Sequence, residues 1–132
     1  AAMEQASSAG ARRAMRLPVS IAPHTPLMAE AQKEFSAALA ATPFQPPTIP
    51  VMSNIEAQPL QTIEQIKAEL NAQLTSTVRW TECVQAIQQM GVTTYIEFGS
   101  KNVLIGLLKR IDKDATGIVV DSPEGVQSLA IQ

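Results

Sequence analysis

The sequence predicts an α/β fold, with parallel strands covered by helices. Three observations carry this reading. From residue 49 onward, strand-like and helix-like segments alternate, which is the pattern of a parallel sheet with helical crossovers. Helix start and stop signals bracket most of the helical stretches. Apolar residues make up 45% of the 132 positions and charged residues 17%, a balance that supports a packed core and argues against disorder.

The elements follow in order. Residues 1–9 are rich in helix formers, and Gly10 is the expected cap. Residues 11–20 read as a strand running into a loop, with Met15, Leu17 and Val19 alternating and Pro18 marking an edge. The loop holds His24 between Pro23 and Pro26. Thr25-Pro26 opens a helix to about Ala41, since Thr suits the N-cap and Pro the first helical position. Its expected inward stripe is Leu27, Met28, Ala31, Phe35, Ala38 and Leu39.

Four prolines make 42–50 irregular, and Ile49, Val51 and Met52 suggest a short strand. Thr62 caps a helix over 62–73. A third helix spans 79–90, with Trp80, Cys83, Val84, Ile87 and Met90 inward, and ends at Gly91. VTTYIEF (92–98) is a strand by its β-branched and aromatic content. A helix over 102–112 should bury Val103, Leu104, Leu107, Leu108 and Ile111. Residues 117–120 form another strand, and a last helix covers 123–130.

Several function classes are disfavoured. The net charge of −2 argues against a nucleic-acid module that works by neutralising phosphates. One cysteine and one histidine exclude an intrachain disulfide framework and Cys- or His-rich metal sites. No apolar run reaches 18 residues, and no signal peptide opens the chain, so a soluble, cytoplasmic protein is expected. The opening at Ala1, inside helix-forming sequence, suggests a piece of a longer protein.

His24 is the first residue able to carry chemistry. It is the only side chain here that titrates near neutrality without help, and it lies in a strand-to-helix loop. Residue type alone leaves two readings open, a general base or an idle loop histidine. Cys83 sits between Trp80 and Ile87 on an apolar stripe, which suits a buried structural thiol better than a nucleophile. Ser20, Ser53 and Ser100 lie in no G-x-S-x-G elbow. The turn 98–102 exposes a helix N-terminus that could hold an anion, or is simply a tight connection. Lys109, Arg110 and Lys113 complement a helix C-terminus and could also meet an acidic partner.

Four segments in order carry a resemblance. LPVSIAPHTPLM (17–28), IPVMSNIEAQP (49–59), QLTSTVRWTECVQAI (73–87) and YIEFGSKNVLIGLLKRI (95–111) resemble segments of the malonyl-CoA:acyl carrier protein transacylases. The first resembles the stretch around that family's active-site histidine. The resemblance implies the C-terminal part of an α/β-hydrolase-like large subdomain (18–132), preceded by the last helix and strand of a ferredoxin-like small subdomain (1–17). It implies a ping-pong transfer of malonyl from coenzyme A to the phosphopantetheine thiol of acyl carrier protein in fatty acid biosynthesis. A serine outside these residues would be the nucleophile, so this chain alone should be inactive.

By the same resemblance His24 is the general base, and the backbone carbonyl of Gln73 orients it. Pro23 and Met28 would lie near the acyl group, and Pro23 stands where the family usually has Phe or Ser. Ser100-Lys101-Asn102 replaces the usual Pro-Gly-Lys. No cofactor or metal is implied, because phosphopantetheine arrives on the carrier protein. The implied partners are malonyl-CoA and acyl carrier protein, without nucleic acid or membrane, and the full-length protein would be a monomer. The competing readings are an acyltransferase domain of a polyketide synthase and a non-catalytic piece that only binds partners.

Overall fold

The computed structural model describes residues 1–16 and 18–129, with Ser128 described by its backbone alone. Leu17 and the end of the last expected helix, at Ala130, fall outside that range, as do Ile131 and Gln132. In chain order the elements are α1 (Ala2–Ser8), a 3-10 turn (Pro26–Met28), α2 (Ala29–Ala41), β1 (Val51–Met52), β2 (Pro59–Leu60), α3 (Ile63–Gln73), α4 (Trp80–Gln89), β3 (Thr94–Phe98), α5 (Val103–Ile111), β4 (Thr116–Val120) and α6 (Pro123–Ser128).

The α/β class holds, and its parallel pair is β3 with β4, running in register from Thr94 opposite Thr116 to Phe98 opposite Val120. The crossover between them is α5. The core sits where α4 and α5 meet these strands. Val84, Ile105 and Leu108 are buried there, with Trp80, Tyr95, Ile111, Ala115 and Val119 packed against them. β4 approaches α5 so closely at Gly117 that a Cβ there would lie 2.6 Å from Ile105 Cγ2. Glycine is what lets the strand sit under the helix. Gly91, at φ +87°, lies just past α4 and turns the chain into β3, as the sequence predicts.

Two helices, α3 and α6, start where capping chemistry says they should. Thr62 accepts from Gln65 N while the Gln65 side chain accepts from Thr62 N, a reciprocal capping box at α3. Ser122 caps α6 in the same sense, accepting from Gly125 N.

Three expectations change. Residues 11–16 and 18–20 form no strand. A strand needs a ladder partner, and among the described residues none lies along this exposed, arginine-bearing segment. Second, β1 is not parallel to its neighbour. It pairs antiparallel with β2, Val51 opposite Leu60, through a turn in which Ala57 N bonds Ser53 O and Ser53 N bonds Gln58 O. Pro59 hides β2 from a propensity reading. Third, two helix faces are rotated from expectation. On α2 only Leu39 is fully buried, and Leu27, just before it, is 82% exposed. On α5 the inward pair is Ile105 and Leu108, while Val103, Leu104 and Leu107 face outward. The helix is apolar on more than one side, so periodicity alone does not select the face that meets β3 and β4.

Candidate active site

His24 occupies a strained position. Its φ is +61°, in the left-handed region that costs a non-glycine residue about 1 kcal/mol or more. Thr25 holds the kink from the following position. Its hydroxyl donates to Ala22 O at 2.9 Å and accepts from Leu27 N at 3.3 Å, while its carbonyl receives Met28 N at 3.0 Å. The kinked loop is therefore tied on both sides of the histidine, and the imidazole is directed at the end of α3.

There His24 Nδ1 lies 2.9 Å from the backbone carbonyl oxygen of Gln73, the last residue of α3. A carbonyl can only accept, so Nδ1 carries the proton, and in the neutral ring Nε2 is the unprotonated nitrogen. Among the described residues, no group hydrogen-bonds Nε2. The ring is half-buried. The contact also has an electrostatic sense. The carbonyls at a helix C-terminus form the negative end of the macrodipole, roughly half an elementary charge, which favours a cation placed against them.

The α3 terminus is unusually open to side chains. Thr75 N and Ser76 N both turn back to Ala72 O, at 3.1 and 3.0 Å. The Asn71 and Gln73 carbonyls are left for other donors. Gln73 O takes His24, and Asn71 O takes Gln32 Nε2 from α2 at 2.5 Å. The Asn71 side-chain oxygen accepts from Ser36 Oγ, one turn further along α2. Sequence reading does not find Gln32, Ser36 or Asn71, because polar residues on two helices carry no sign that they meet.

The other residues singled out by sequence have separate fates. Pro23 is exposed beside His24, and Met28 is half-buried at the end of the 3-10 turn. Ser53 is 1% exposed and fully engaged. Its hydroxyl donates to Glu69, accepts from Ile55 N and Glu56 N, and so fixes the turn after β1. Glu69 holds the same turn through Asn54 N at 2.8 Å. Cys83 is buried with its Sγ on Ser53 O at 3.2 Å, and burial, followed by the nearby Glu69 charge, pushes its thiol pKa up. Both Ser53 and Cys83 are structural, and neither touches His24.

The anion reading of the 98–102 turn is overturned. Glu97, near the end of β3, already fills the N-terminus of α5. Its two carboxylate oxygens accept from Leu104 N at 3.1 Å and Ile105 N at 2.9 Å. A second anion would meet a like charge. Lys109 and Arg110 lie in the last turn of α5, and with Lys113 they are exposed. Among the described residues no three His, Cys, Asp or Glu side chains gather as a metal site, and no helix is long and apolar enough to cross a membrane.

No protein-family model matches the sequence. Individual proteins do. The chain is 38% identical to the malonyl CoA-acyl carrier protein transacylase of Bacillus subtilis over 131 residues, which is 99% of this chain and 41% of that protein. Its backbone is similar to an acyl carrier protein S-malonyltransferase from Vibrio cholerae, with a TM-score of 0.87 at 40% identity, covering 97% of this chain and 42% of that one. It is also similar to a malonyl-transacylase solved in complex with its type II polyketide acyl carrier protein, with a TM-score of 0.89 at 35% identity over 99% of this chain and 43% of that one. The chain thus spans about two-fifths of the length of these relatives. In sequence and in backbone geometry, it belongs to the malonyl-CoA:acyl carrier protein transacylase family.

Proposed function

We propose that this chain supplies the histidine half of a malonyl-transfer site. In this reading residues 1–17 close a small ferredoxin-like subdomain, and residues 18–132 are the C-terminal part of the large one. The protein works in the cytoplasm and draws on no metal or cofactor of its own.

The observation that carries the reading is the His24–Gln73 pair. A ring held by Nδ1–H leaves Nε2 to take a proton from a hydroxyl nucleophile. By family resemblance, that nucleophile is a serine outside these 132 residues. In the first half-reaction the serine proton passes to Nε2 as Oγ attacks the malonyl thioester carbonyl. The C–S bond breaks, and coenzyme A leaves as the thiol, taking the proton from the imidazolium. In the second half-reaction the phosphopantetheine thiol gives its proton to Nε2. Its sulfur attacks the acyl-serine, and the proton returns to Oγ. The histidine is cationic in the middle of each half, where the negative C-terminal end of the α3 dipole stabilises the developing positive charge. Pro23, next to the base, and Met28, one turn on, are proposed to border the acyl group.

The test exchanges the matching two-fifths of the Bacillus subtilis transacylase for this chain and follows radiolabelled malonyl from coenzyme A to carrier protein. Transfer by the chimera, with a loss of roughly 10²–10⁴-fold on His24→Ala, is the expected result. Unchanged turnover in that variant removes His24 from the mechanism. The relative bound to a polyketide carrier supports a second reading, in which the same chemistry serves polyketide assembly. A fatty-acid and a polyketide carrier protein, compared as acceptors, separate the two by their kcat/KM.

A further inference from the structure

The base needs more than a carbonyl to face. It needs that carbonyl in register, and apolar packing between α2 and α3 is thin. No residue of α3 is fully buried, and on α2 only Leu39 is. Phe35, the largest apolar side chain of α2, is 38% exposed. What ties the helices beside the site is polar. Gln32 Nε2 donates to Asn71 O, and the single Ser36 hydroxyl proton is shared between Asn71 Oδ1 and, at 2.7 Å, Gln32 O. Asn71 O lies two residues before Gln73 O on the same helix end.

The segment 24–36 therefore docks on the α3 terminus through parallel side-chain donors, His24 to one free carbonyl and Gln32 to the other. If α2 slid by one residue along α3, it would travel about 1.5 Å. That is enough to break a 2.9 Å bond at His24.

We propose that Gln32, supported by Ser36, is a positioning residue for His24. By gripping Asn71 it fixes α2 against the α3 terminus, so that the imidazole holds the Nδ1–H tautomer and keeps Nε2 free. This rests on the reading of His24 as the base. Gln32 touches neither substrate nor reacting atoms, so its effect must appear in the state of the ring.

The chain contains one histidine, so its imidazole nitrogens are unambiguous in a long-range proton–nitrogen NMR spectrum. The experiment records that spectrum on the full chain above neutrality, with a thermal melt of each variant. Wild type should show a protonated Nδ1 and a bare Nε2. Gln32→Leu should lose the Nδ1–H signal and show Nε2–H, the tautomer favoured in free solution. Gln32→Arg, which keeps a donor for Asn71 O, should restore the wild-type pattern. A wild-type spectrum in a cooperatively melting Gln32→Leu overturns the proposal. If Gln32→Leu does not melt cooperatively, Ser36→Ala decides. A weakened Nδ1–H signal supports the clamp, and an unchanged one overturns it.

The two ideas fail separately. Nε2–H in wild type sinks the base geometry itself. A correct wild-type tautomer that ignores Gln32 sinks only the positioning role. A clamp-dependent tautomer beside full activity of the His24→Ala chimera leaves the clamp and removes the base.

Discussion

The half of the molecule built from α4, β3, α5 and β4 and the half built from the His24 loop, α2 and α3 are held together by different forces. The first rests on buried apolar side chains. Leu108 and Val84 are 2% exposed, and Ile105 is 7%. The second rests on side chains that donate to free carbonyls, at Gln73 O and Asn71 O. Apolar burial is non-directional and tolerant of small shifts, whereas a hydrogen bond fails within a fraction of an ångström. A stable frame and a precisely aimed imidazole call for different devices, and the chain keeps them apart.

The sharpest way to break this comparison is a pair of opposite substitutions. In the chimera, His24→Ala should lower malonyl transfer by roughly 10²–10⁴-fold while the urea midpoint stays near wild type, because the half-buried ring anchors little apolar area. Leu108→Ala should do the reverse, destabilising by about 2–5 kcal/mol through the cavity it leaves. Equal damage to stability from both would show that the halves are not mechanically distinct.

A smaller effect tests the contact between strand and helix in the apolar half. Gly117→Ala places a methyl against Ile105 Cγ2 and Cδ1. Ile105 is β-branched and buried, so it has little room to rotate away. The expected cost is about 1–3 kcal/mol by urea titration. A smaller added cost in an Ile105→Ala background, which lacks both Cγ2 and Cδ1, would identify the clash as the cause.

The same division explains what the sequence discloses. The apolar half is legible where one face of an element is clearly marked. VTTYIEF reads as a strand, and Cys83 and Val84 read as inward on α4. Legibility fails on α5, whose apolar residues surround the helix, so that Ile105 is missed and Val103 is wrongly placed. In the other half, local chemistry is legible, namely Thr25 and Thr62 as caps. Long-range polar contacts are not. Gln32 and Asn71 are 39 positions apart, and nothing in either residue names the other. Glu97 escapes for a related reason, since a carboxylate in a strand does not reveal that the next helix begins against it. The His24–Gln73 pairing comes from family resemblance, because a separation of 49 residues has no periodicity to betray it.

The smallest expected effect is the most discriminating for the polar half. His24 bonds the carbonyl of Gln73, which every amino acid possesses. Among the described residues, the buried Oε1 of the Gln73 side chain has no hydrogen-bond partner. Gln73→Ala therefore removes no bond to the ring, relieves one unsatisfied buried oxygen, and keeps a good helix former at the end of α3. Transfer by the chimera should stay within about threefold of wild type, a change in barrier of under about 1 kcal/mol. Gln73→Pro sets the contrast. Proline at 73 removes the backbone N–H and collides with the preceding turn of α3, so it should unwind the helix end that carries both accepting carbonyls. A mild alanine beside a damaging proline means that the helix terminus orients the base. A large loss on alanine, with the His24 tautomer unchanged, assigns the work to the Gln73 side chain instead.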